Sequence, residues 1–323
     1  MLAIQAVRTG GPEVLEAVEL PIPTPGPGQI LVRTTAIGLN YIDTYFRTGL
    51  YPARLPAVLG LEGAGVVEAV GEGVTRFKAG DRAAYGNGPM GAYAEYHCVQ
   101  AERAVQIPDG IDEATAAAAM LKGMTAEFLL RRCYPVKAGD TILVHAAAGG
   151  VGQILVQWGA SLGARVIGTA GSADKAALAK HLGCEDVILY RDEDVAARVK
   201  ALTGGAGVRV VYDGVGAATF EGSLASLGRR GMLVSYGNAS GPAPAVAPLR
   251  LSQGGSLFLT RPTLFDYVAT TPELDASAAA LFAVIASGAV KIGIGQRFAL
   301  KDARAAHEAL EGRETSGSTL LIP

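Results

Sequence analysis

The sequence is poor in the residues that would mark several classes of protein. It has three cysteines in 323 residues, Cys98, Cys133 and Cys184, and their spacing matches neither a disulfide framework nor a zinc motif. The 28 Lys and Arg residues nearly balance the 30 Asp and Glu residues, for a formal net charge of −2. Such a balance attracts neither nucleic acid nor an anionic membrane surface. We therefore expect a cytoplasmic protein with no nucleic-acid partner.

Long apolar segments are also missing. The longest uncharged apolar-rich stretch near the C-terminus covers residues 276–290 and contains Ser277, Ser287 and Gly288, so it is shorter than the ~20 residues of a membrane-spanning helix. Residues 1–11 contain Arg8 and two glycines, where a secretory signal would have a continuous apolar core. We therefore expect no membrane partner.

Glycine, by contrast, is abundant, with 43 residues. It follows no triplet period, which excludes a collagen-like helix. A hydrophobic content of 50% with 18% charged residues excludes a disordered chain. A chain of this length forms two domains or one large one, and the glycines are expected at its local turns.

The hydrophobic pattern changes near residue 120. Before it, short β-branched runs such as residues 30–35, 65–70 and 82–85 are separated by Gly and Pro turns, which is typical of a small, mostly antiparallel β-domain. From about residue 122 to 260, buried strands alternate with helical patterns, beginning with a strand at Thr141–His145 and a helix at Val151–Leu162. This alternation predicts an α/β fold with a doubly wound parallel sheet beside the β-domain.

The strongest chemical signal is the segment Ala146 to Gly152, which joins that strand to that helix. It has the spacing A-x-x-G-x-x-G, through Ala146, Gly149 and Gly152, in place of the usual G-x-G-x-x-G. Glycines at a helix N-terminus let a pyrophosphate approach the backbone amides closely. The segment therefore predicts a dinucleotide site, and the alternative is a packing turn without a ligand.

The next strand and helix indicate which dinucleotide is bound. In NAD-binding chains an acidic residue about 20 positions on, at the tip of the second strand, binds the ribose hydroxyls. Here that strand runs into Gly171 and Ser172 with no carboxylate, Lys175 follows within one helical turn, and Asp174 sits inside the predicted helix start. A cation without the acid suits a 2′-phosphate, so the sequence favours NADPH over NADH.

No metal or hydrolase site can be assembled from the sequence. His97 and Cys98 are neighbours in a predicted strand, so their side chains point to opposite faces. His145 lies at a strand end, and His181 and His307 lie in predicted helices, where we expect packing or surface roles. There is no G-x-S-x-G or H-E-x-x-H motif.

A set of ordered motifs extends over nearly the whole chain. They are residues 10–15 (GGPEVL), 37–45 (IGLNYIDTY), 47–52 (RTGLYP), 60–65 (GLEGAG), 122–126 (KGMTA), 146–152 and 210–213 (VVYD). With them the sequence resembles the medium-chain dehydrogenase/reductase superfamily, and within it the zinc-free, zeta-crystallin-like quinone oxidoreductases. The zinc alcohol dehydrogenases of that superfamily carry cysteine where this chain has Asn40 and histidine where it has Leu61.

The resemblance implies a GroES-like β-domain formed by residues 1–122 and 265–323 and an NADP-binding Rossmann domain formed by residues 123–264. It implies pyrophosphate contacts at Gly149, Gly150, Val151 and Gly152, and a 2′-phosphate site at Gly171, Ser172, Lys175 and Tyr190. The remaining implied cofactor contacts are Asn40, Tyr41, Thr125, Gly216, Tyr236, Gly237, Asn238, Phe258 and Ser318. A homodimer joined across residues 257–260 is expected.

The activity that the resemblance implies is zinc-independent reduction of a quinone by NADPH. Catalytic candidates are Asn40, Tyr45 and Tyr51, with Tyr51 the preferred proton donor, although water could protonate the product equally well. Two alternatives stay open: reduction of an α,β-unsaturated carbonyl such as an enal or enone, and a non-catalytic NADPH-binding protein.

Overall fold

The computed structural model describes residues 1–323 and contains two compact units. Unit 1 comprises residues 1–124, 267–286 and 292–323, and unit 2 comprises residues 125–266 and 287–291. The short segment 287–291 joins unit 2 because the Gln157 side chain bonds both the backbone oxygen and the backbone nitrogen of Lys291, at 3.0 and 2.9 Å.

The elements follow one another in chain order. The first stretch contains β1 (Leu2–Ala6), β2 (Leu15–Glu19), β3 (Gln29–Leu39), α1 (Tyr41–Thr48), β4 (Ala57–Val58), β5 (Glu62–Val70), β6 (Arg82–Tyr85), β7 (Tyr96–Gln100), β8 (Val105–Gln106) and α2 (Glu113–Phe128). The middle stretch contains β9 (Thr141–Val144), α3 (Gly150–Ser161), β10 (Arg165–Ala170), α4 (Ala173–His181), β11 (Asp186–Leu189), α5 (Val195–Leu202), β12 (Val208–Asp213), α6 (Phe220–Ser226), β13 (Leu227–Ser235), α7 (Pro248–Gln253), β14 (Phe258–Thr260) and α8 (Leu264–Tyr267). The last stretch contains α9 (Thr271–Ala286), β15 (Ile294–Ala299), α10 (Ala303–Glu311) and β16 (Ser318–Ile322).

Unit 1 is built on two sheets. A three-stranded sheet has the order β2-β1-β4, and a seven-stranded sheet has the order β15-β16-β3-β5-β6-β8 with β7 also paired to β3. All pairings are antiparallel except β15 with β16. The long strand β3 forms the centre, with Ile30, Val32 and Ile37 fully buried in the core. The predicted antiparallel β-domain is confirmed.

Unit 2 is built on one six-stranded sheet with the order β11-β10-β9-β12-β13-β14. Every pairing in it is parallel. Strands of such a sheet are covered by helices on both faces, which explains why Ile142, Leu143 and Val144 of β9 are all fully buried. The predicted doubly wound parallel sheet is confirmed, with its order reversing between β9 and β12.

Two helices were not expected from the sequence. The helix α1 is only eight residues long, which is shorter than the window of about 11–18 residues in which a helical period is recognised. The helix α2 contains four successive alanines, Ala116 to Ala119, all fully buried. Because these alanines cover every side of one helical turn, the segment lacks the periodicity that marks an amphipathic helix. The apolar stretch 276–290 lies largely in α9, and none of the helices is long and apolar enough to span a membrane.

Candidate functional site

The predicted dinucleotide turn connects β9 to α3 in unit 2. Gly149 is the N-cap residue, its backbone is extended (φ −79°, ψ 173°), and no side chain caps the helix. The amides of the first three helical residues, Gly150, Val151 and Gly152, have no acceptor within the helix. Because these amides and the helix dipole both favour an anion, the turn fits a pyrophosphate group.

Gly152 holds this turn against the first turn of α3. A Cβ atom at position 152 would lie 2.2 Å from the carbonyl oxygen of Ala146, which is closer than any real contact. Ala146 itself has a positive φ of 50°, a conformation that is uncommon outside glycine. The close approach of helix and turn therefore needs a glycine at position 152.

The four residues predicted to bind a 2′-phosphate lie together beside β10. Ser172 caps α4, its Oγ accepting from the backbone nitrogen of Lys175 at 3.4 Å, and its hydroxyl hydrogen stays available as a donor. A Cβ atom on Gly171 would lie 2.5 Å from the hydroxyl of Tyr190, so that ring packs over the glycine. Asp174 is exposed in the first turn of α4, as expected for a residue that favours the helix dipole.

A buried carboxylate organises the carboxyl end of β12. Asp213 is fully buried. Its Oδ1 accepts from the backbone nitrogens of Val215 and Gly216 at 2.9 and 3.0 Å, and its Oδ2 accepts from the hydroxyl of Ser223 at 2.7 Å. These bonds fix Gly216, which has a φ of 90°, in a loop conformation that other residues rarely adopt.

His145 extends that network to the neighbouring strands. Its Nε2 lies 2.9 Å from the Oγ of Ser223 and its Nδ1 lies 3.2 Å from the Oγ1 of Thr169. Because Ser223 donates to Asp213, Nε2 is the donor toward Ser223 and Nδ1 accepts from Thr169. Burial lowers the pKa of His145, so the ring is neutral. His145 is therefore a buried member of the hydrogen-bond network around Asp213.

Residues 236–238 close over the Gly216 loop. A Cβ atom on Gly237 would lie 2.4 Å from the oxygen of Gly214, and one on Gly216 would lie 3.2 Å from the Cα of Asn238. The backbone nitrogen of Tyr236 donates to the oxygen of Asp213 at 2.8 Å. The structure therefore brings together the four predicted cofactor residues Gly216, Tyr236, Gly237 and Asn238.

Five of the predicted cofactor residues lie outside these clusters: Asn40 and Tyr41 at the start of α1 in unit 1, and Phe258, Ser318 and Thr125. Phe258 is on the edge strand β14, with 56% of its surface exposed, and β12 and β13 lie between it and β9. Ser318 is buried in unit 1, where its hydroxyl donates to the oxygen of Ala118 at 2.8 Å. Thr125 is buried in α2. Nothing in these local contacts points to a cofactor.

The aromatic candidates of unit 1 lie on or after α1. The ring centroids of Tyr45 and Tyr51 are 5.3 Å apart, and the Tyr51 nitrogen donates to the Tyr45 oxygen at 3.0 Å. Tyr45 is buried, whereas Tyr51 is half-buried. Tyr41 is also half-buried, and its hydroxyl donates to the backbone oxygen of Leu310 at 3.1 Å.

Asn40, the N-cap residue of α1, is held by a buried ion pair that sequence reasoning missed. The Glu62 carboxylate is fully buried. Its Oε2 accepts from Asn40 Nδ2 at 2.8 Å and from Lys122 Nζ at 3.1 Å, and its Oε1 accepts from the backbone nitrogen of Leu121 at 2.6 Å. Both charged residues stand in motifs that carry the family resemblance, but only the fold shows that they meet.

A second buried network reaches Asn40 from α10. The backbone nitrogen of Asn40 donates to Asp43 Oδ2 at 2.9 Å, and the Tyr93 hydroxyl lies 2.9 Å from the same oxygen. Tyr93 also lies 3.0 Å from His307 Nε2, and His307 Nδ1 lies 2.9 Å from Nη1 of Arg47. From the sequence we expect a packing or surface role for His307; in the structure it is buried and joins this chain of polar groups.

The structure contains no group of three or more His, Cys, Asp or Glu side chains that could hold a metal ion. His97, for example, is buried, and desolvation lowers its pKa to about 4; its ring centroid lies 5.3 Å from that of Tyr85.

Comparison with known proteins places this site in a family. The chain matches the models described as "Alcohol dehydrogenase GroES-like domain" over residues 26–109 and "Zinc-binding dehydrogenase" over residues 150–283. It is 54% identical to the quinone oxidoreductase of Pseudomonas aeruginosa over 321 residues, covering 99% of both chains. The 2-haloacrylate reductase of a Burkholderia species is 43% identical and covers 98% of this chain and 97% of its own.

A solved structure agrees with these matches. The Escherichia coli quinone oxidoreductase complexed with NADPH superposes with a TM-score of 0.98 at 49% identity, and each chain covers 100% of the other. The predicted fold class, a doubly wound parallel sheet with a GroES-like β-domain, is confirmed by these comparisons and by the sheet topology.

Proposed function

Because the chain belongs to the quinone oxidoreductases of the medium-chain dehydrogenase/reductase superfamily, we propose that it is an oxidoreductase that reduces a quinone with NADPH. The observation that carries the proposal is the pairing of two anion sites in unit 2. One is the uncapped first turn of α3, and the other is the corner formed by Ser172, Lys175 and Tyr190, where β10 ends without a carboxylate.

The cofactor would supply the hydride, and the chain's own residues would bind and orient it. The amides of Gly150, Val151 and Gly152, with the Gly149 cap, would hold the pyrophosphate, and Gly171, Ser172, Lys175 and Tyr190 would hold the 2′-phosphate. Further proposed contacts are Asn40, Tyr41, Thr125, Gly216, Tyr236, Gly237, Asn238, Phe258 and Ser318. In domain terms, residues 123–264 would bind the cofactor, and residues 1–122 with 265–323 would form the substrate side.

A quinone that accepts a hydride needs one proton to become a hydroquinone, and the proposed donor is Tyr51. Its ring is held edge-on by Phe46 and Tyr45, with centroid distances of 5.7 and 5.3 Å. Tyr51→Phe keeps those contacts and removes only the hydroxyl. We expect kcat to fall about 10²-fold or more, the usual contribution of a general acid, with little change in KM; unchanged turnover would assign the proton to water.

A second candidate reaction is the reduction of an α,β-unsaturated carbonyl. The observation that favours it is the 43% identity to a 2-haloacrylate reductase over nearly the whole chain. A side-by-side assay of NADPH oxidation with a panel of quinones, enals and 2-haloacrylates decides between the two reactions. Tight NADPH binding without turnover of any acceptor would instead support a non-catalytic binding protein.

The coenzyme preference is tested by Lys175→Ala. Loss of a charge-assisted bond to a phosphate costs about 1.5–3 kcal/mol, so the Kd for NADPH should rise roughly 10- to 100-fold while the Kd for NADH stays the same. Lys180→Ala is the matched control, because Lys180 lies at the other end of α4 and donates to the oxygen of Glu185. An equal rise of the Kd for NADPH and for NADH in Lys175→Ala would show that Lys175 does not bind the 2′-phosphate.

We also propose a cytoplasmic homodimer. All three cysteines are free, in keeping with a reducing compartment. The outer edge of β14 pairs with no other strand, and Phe258 beside it is 56% exposed; an open apolar edge of this kind invites pairing with a second copy. Light scattering after gel filtration should give a dimer mass for the native chain and a monomer mass for Phe258→Lys. A monomeric native chain would exclude the dimer.

A further inference from the structure

A series of hydrogen bonds links Arg47, His307, Tyr93 and Asp43. Which atom donates in each bond follows from the chemistry of the side chains. A guanidinium can only donate, so His307 Nδ1 accepts from Arg47, and the ring proton must stand on Nε2. Nε2–H then donates to the Tyr93 oxygen, and the Tyr93 hydroxyl donates to Asp43 Oδ2. Every hydrogen bond in this chain therefore points toward the Asp43 carboxyl group.

Arg47, at the end of this hydrogen-bond series away from Asp43, is held firmly in place. The Arg47 side chain is 1% exposed, and its Nη2 forms two bonds to the Glu311 carboxylate, at 2.7 and 2.8 Å. Its Nε donates to the oxygen of Gly10 at 3.1 Å. The cation cannot turn away from His307, and because Arg47 lies on α1 while His307 and Glu311 lie on α10, the two helices are locked together.

At the near end, Asp43 acts on Asn40. Its Oδ2 accepts from both the Tyr93 hydroxyl and the Asn40 backbone nitrogen, whereas its Oδ1 is buried without a hydrogen-bond partner. Asn40 therefore bonds two carboxylates, Asp43 through its backbone and Glu62 through its side chain. The two bonds fix both the backbone and the amide group of this one residue.

The groups that face Asp43 shift its pKa in opposite directions. Burial raises the pKa of Asp43 to about 7, the bonds from Asn40 and Tyr93 and the charge of Lys122 lower it, and the charge of Glu62 raises it. His307 takes no charge of its own, because burial first and Arg47 second lower its pKa to about 3. Burial likewise raises the pKa of Tyr93 well above its ordinary value. Asp43 is thus the group of this chain that changes charge in the neutral range.

We propose that Arg47, His307, Tyr93 and Asp43 are positioning residues for Asn40, and that the orientation of Asn40 depends on Asp43 being a carboxylate. The inference rests on the proposed function, in which Asn40 meets the cofactor. Hydrogen bonds to a charged acceptor are about twice as strong as those to a neutral one. When Asp43 takes up a proton on its unpartnered Oδ1, the bond from the Asn40 nitrogen weakens and catalysis falls with it.

Tyr93→Phe tests this proposal through the pH profile of kcat/KM for NADPH-dependent quinone reduction. Losing one donor to the carboxylate should move the acid limb upward by about one pH unit, a tenfold change in the protonation constant, with activity restored at high pH. Tyr85→Phe is the matched control, because Tyr85 is also a fully buried tyrosine of unit 1 and its hydroxyl forms no bond to Asp43 or His307. Its profile should match that of the native chain.

Two further measurements keep the inference separate from the proposed function. Asp43→Asn should keep an acceptor for Asn40 but lose the acid limb. Carboxyl-carbon NMR of the native chain should show Asp43 titrating near neutrality, and at higher pH in Tyr93→Phe, whether or not a quinone is turned over. An active native chain whose profile is unchanged in Tyr93→Phe, or an Asp43 that titrates at its ordinary pKa, would overturn the inference. Absence of any NADPH oxidation by the native chain would instead refute the proposed function.

Discussion

Removal of the Lys122 ammonium group should be among the single changes that lower the free energy of unfolding of unit 1 most. Lys122→Met keeps most of the side-chain volume but leaves the Glu62 carboxylate, which is 0% exposed, with only the neutral donors of Asn40 and Leu121. Breaking a buried ion pair from one side costs about 3–5 kcal/mol. There is little space for relaxation, since a Cβ atom on Gly38 would already lie 2.0 Å from Glu62 Oε2.

Replacing both Glu62 and Lys122 should lower the free energy of unfolding by less than the sum of the two single replacements. A buried ion pair gains about as much from mutual attraction as it loses in desolvation. The double variant Glu62→Met, Lys122→Met should therefore recover about 2 kcal/mol or more of the free energy of unfolding that the two single variants lose together. This value is within the range of coupling energies measured for residues in contact. The assay is urea unfolding followed by circular dichroism. Trp158, the single tryptophan, lies in α3 of unit 2, so its fluorescence reports separately on the other unit.

A surface pair provides the control for this cycle. Arg304 and Glu308 form an i, i+4 pair whose side chains are 59% and 50% exposed, and exposed pairs of this kind contribute about 0.3–0.5 kcal/mol. Arg304→Met should therefore leave the unfolding transition almost unchanged. A Lys122→Met variant that loses less than about 1 kcal/mol, the scale of a surface pair, or a double variant that is no better than additive, would refute the reasoning.

Two other predictions concern the phosphate turn and the buried acid. Gly152→Ala should abolish NADPH binding, because its Cβ would lie 2.2 Å from the Ala146 oxygen. Gly222→Ala is the control, since no atom lies within 4 Å of the added carbon, and it should bind NADPH normally in a fluorescence titration. NADPH binding by both variants would contradict the close approach at Gly152. Asp43 has a folded pKa of about 7, above its ordinary 3.8, so the folded state binds the extra proton. Its contribution to stability is full below pH ~4 and is lost as the pH rises through ~7. Asp43→Asn should therefore flatten the pH dependence of the midpoint of urea unfolding, and an unchanged slope would contradict the raised pKa.

The sequence alone was sufficient for the features that depend on neighbouring residues. The alternation of strands and helices predicted the parallel sheet, and β9 and α3 agree to within about one residue at each end with the predicted strand Thr141–His145 and helix Val151–Leu162. Each of these properties is written within a few positions of the chain, because hydrophobic period and turn chemistry are local.

Only the tertiary structure decided how the buried charges are arranged. Arg47 and His307 are 260 positions apart and Tyr93 and His307 are 214 apart, so no local pattern links them, and a lone histidine in a helix gave no reason to expect them to meet. A buried charge is tolerated only where folding provides its partners. Whether Glu62, Lys122 and Asp43 would be exposed surface residues or the fixed surroundings of Asn40 was therefore decided by the packing of β5, α1, α2 and α10, and not by any spacing in the sequence.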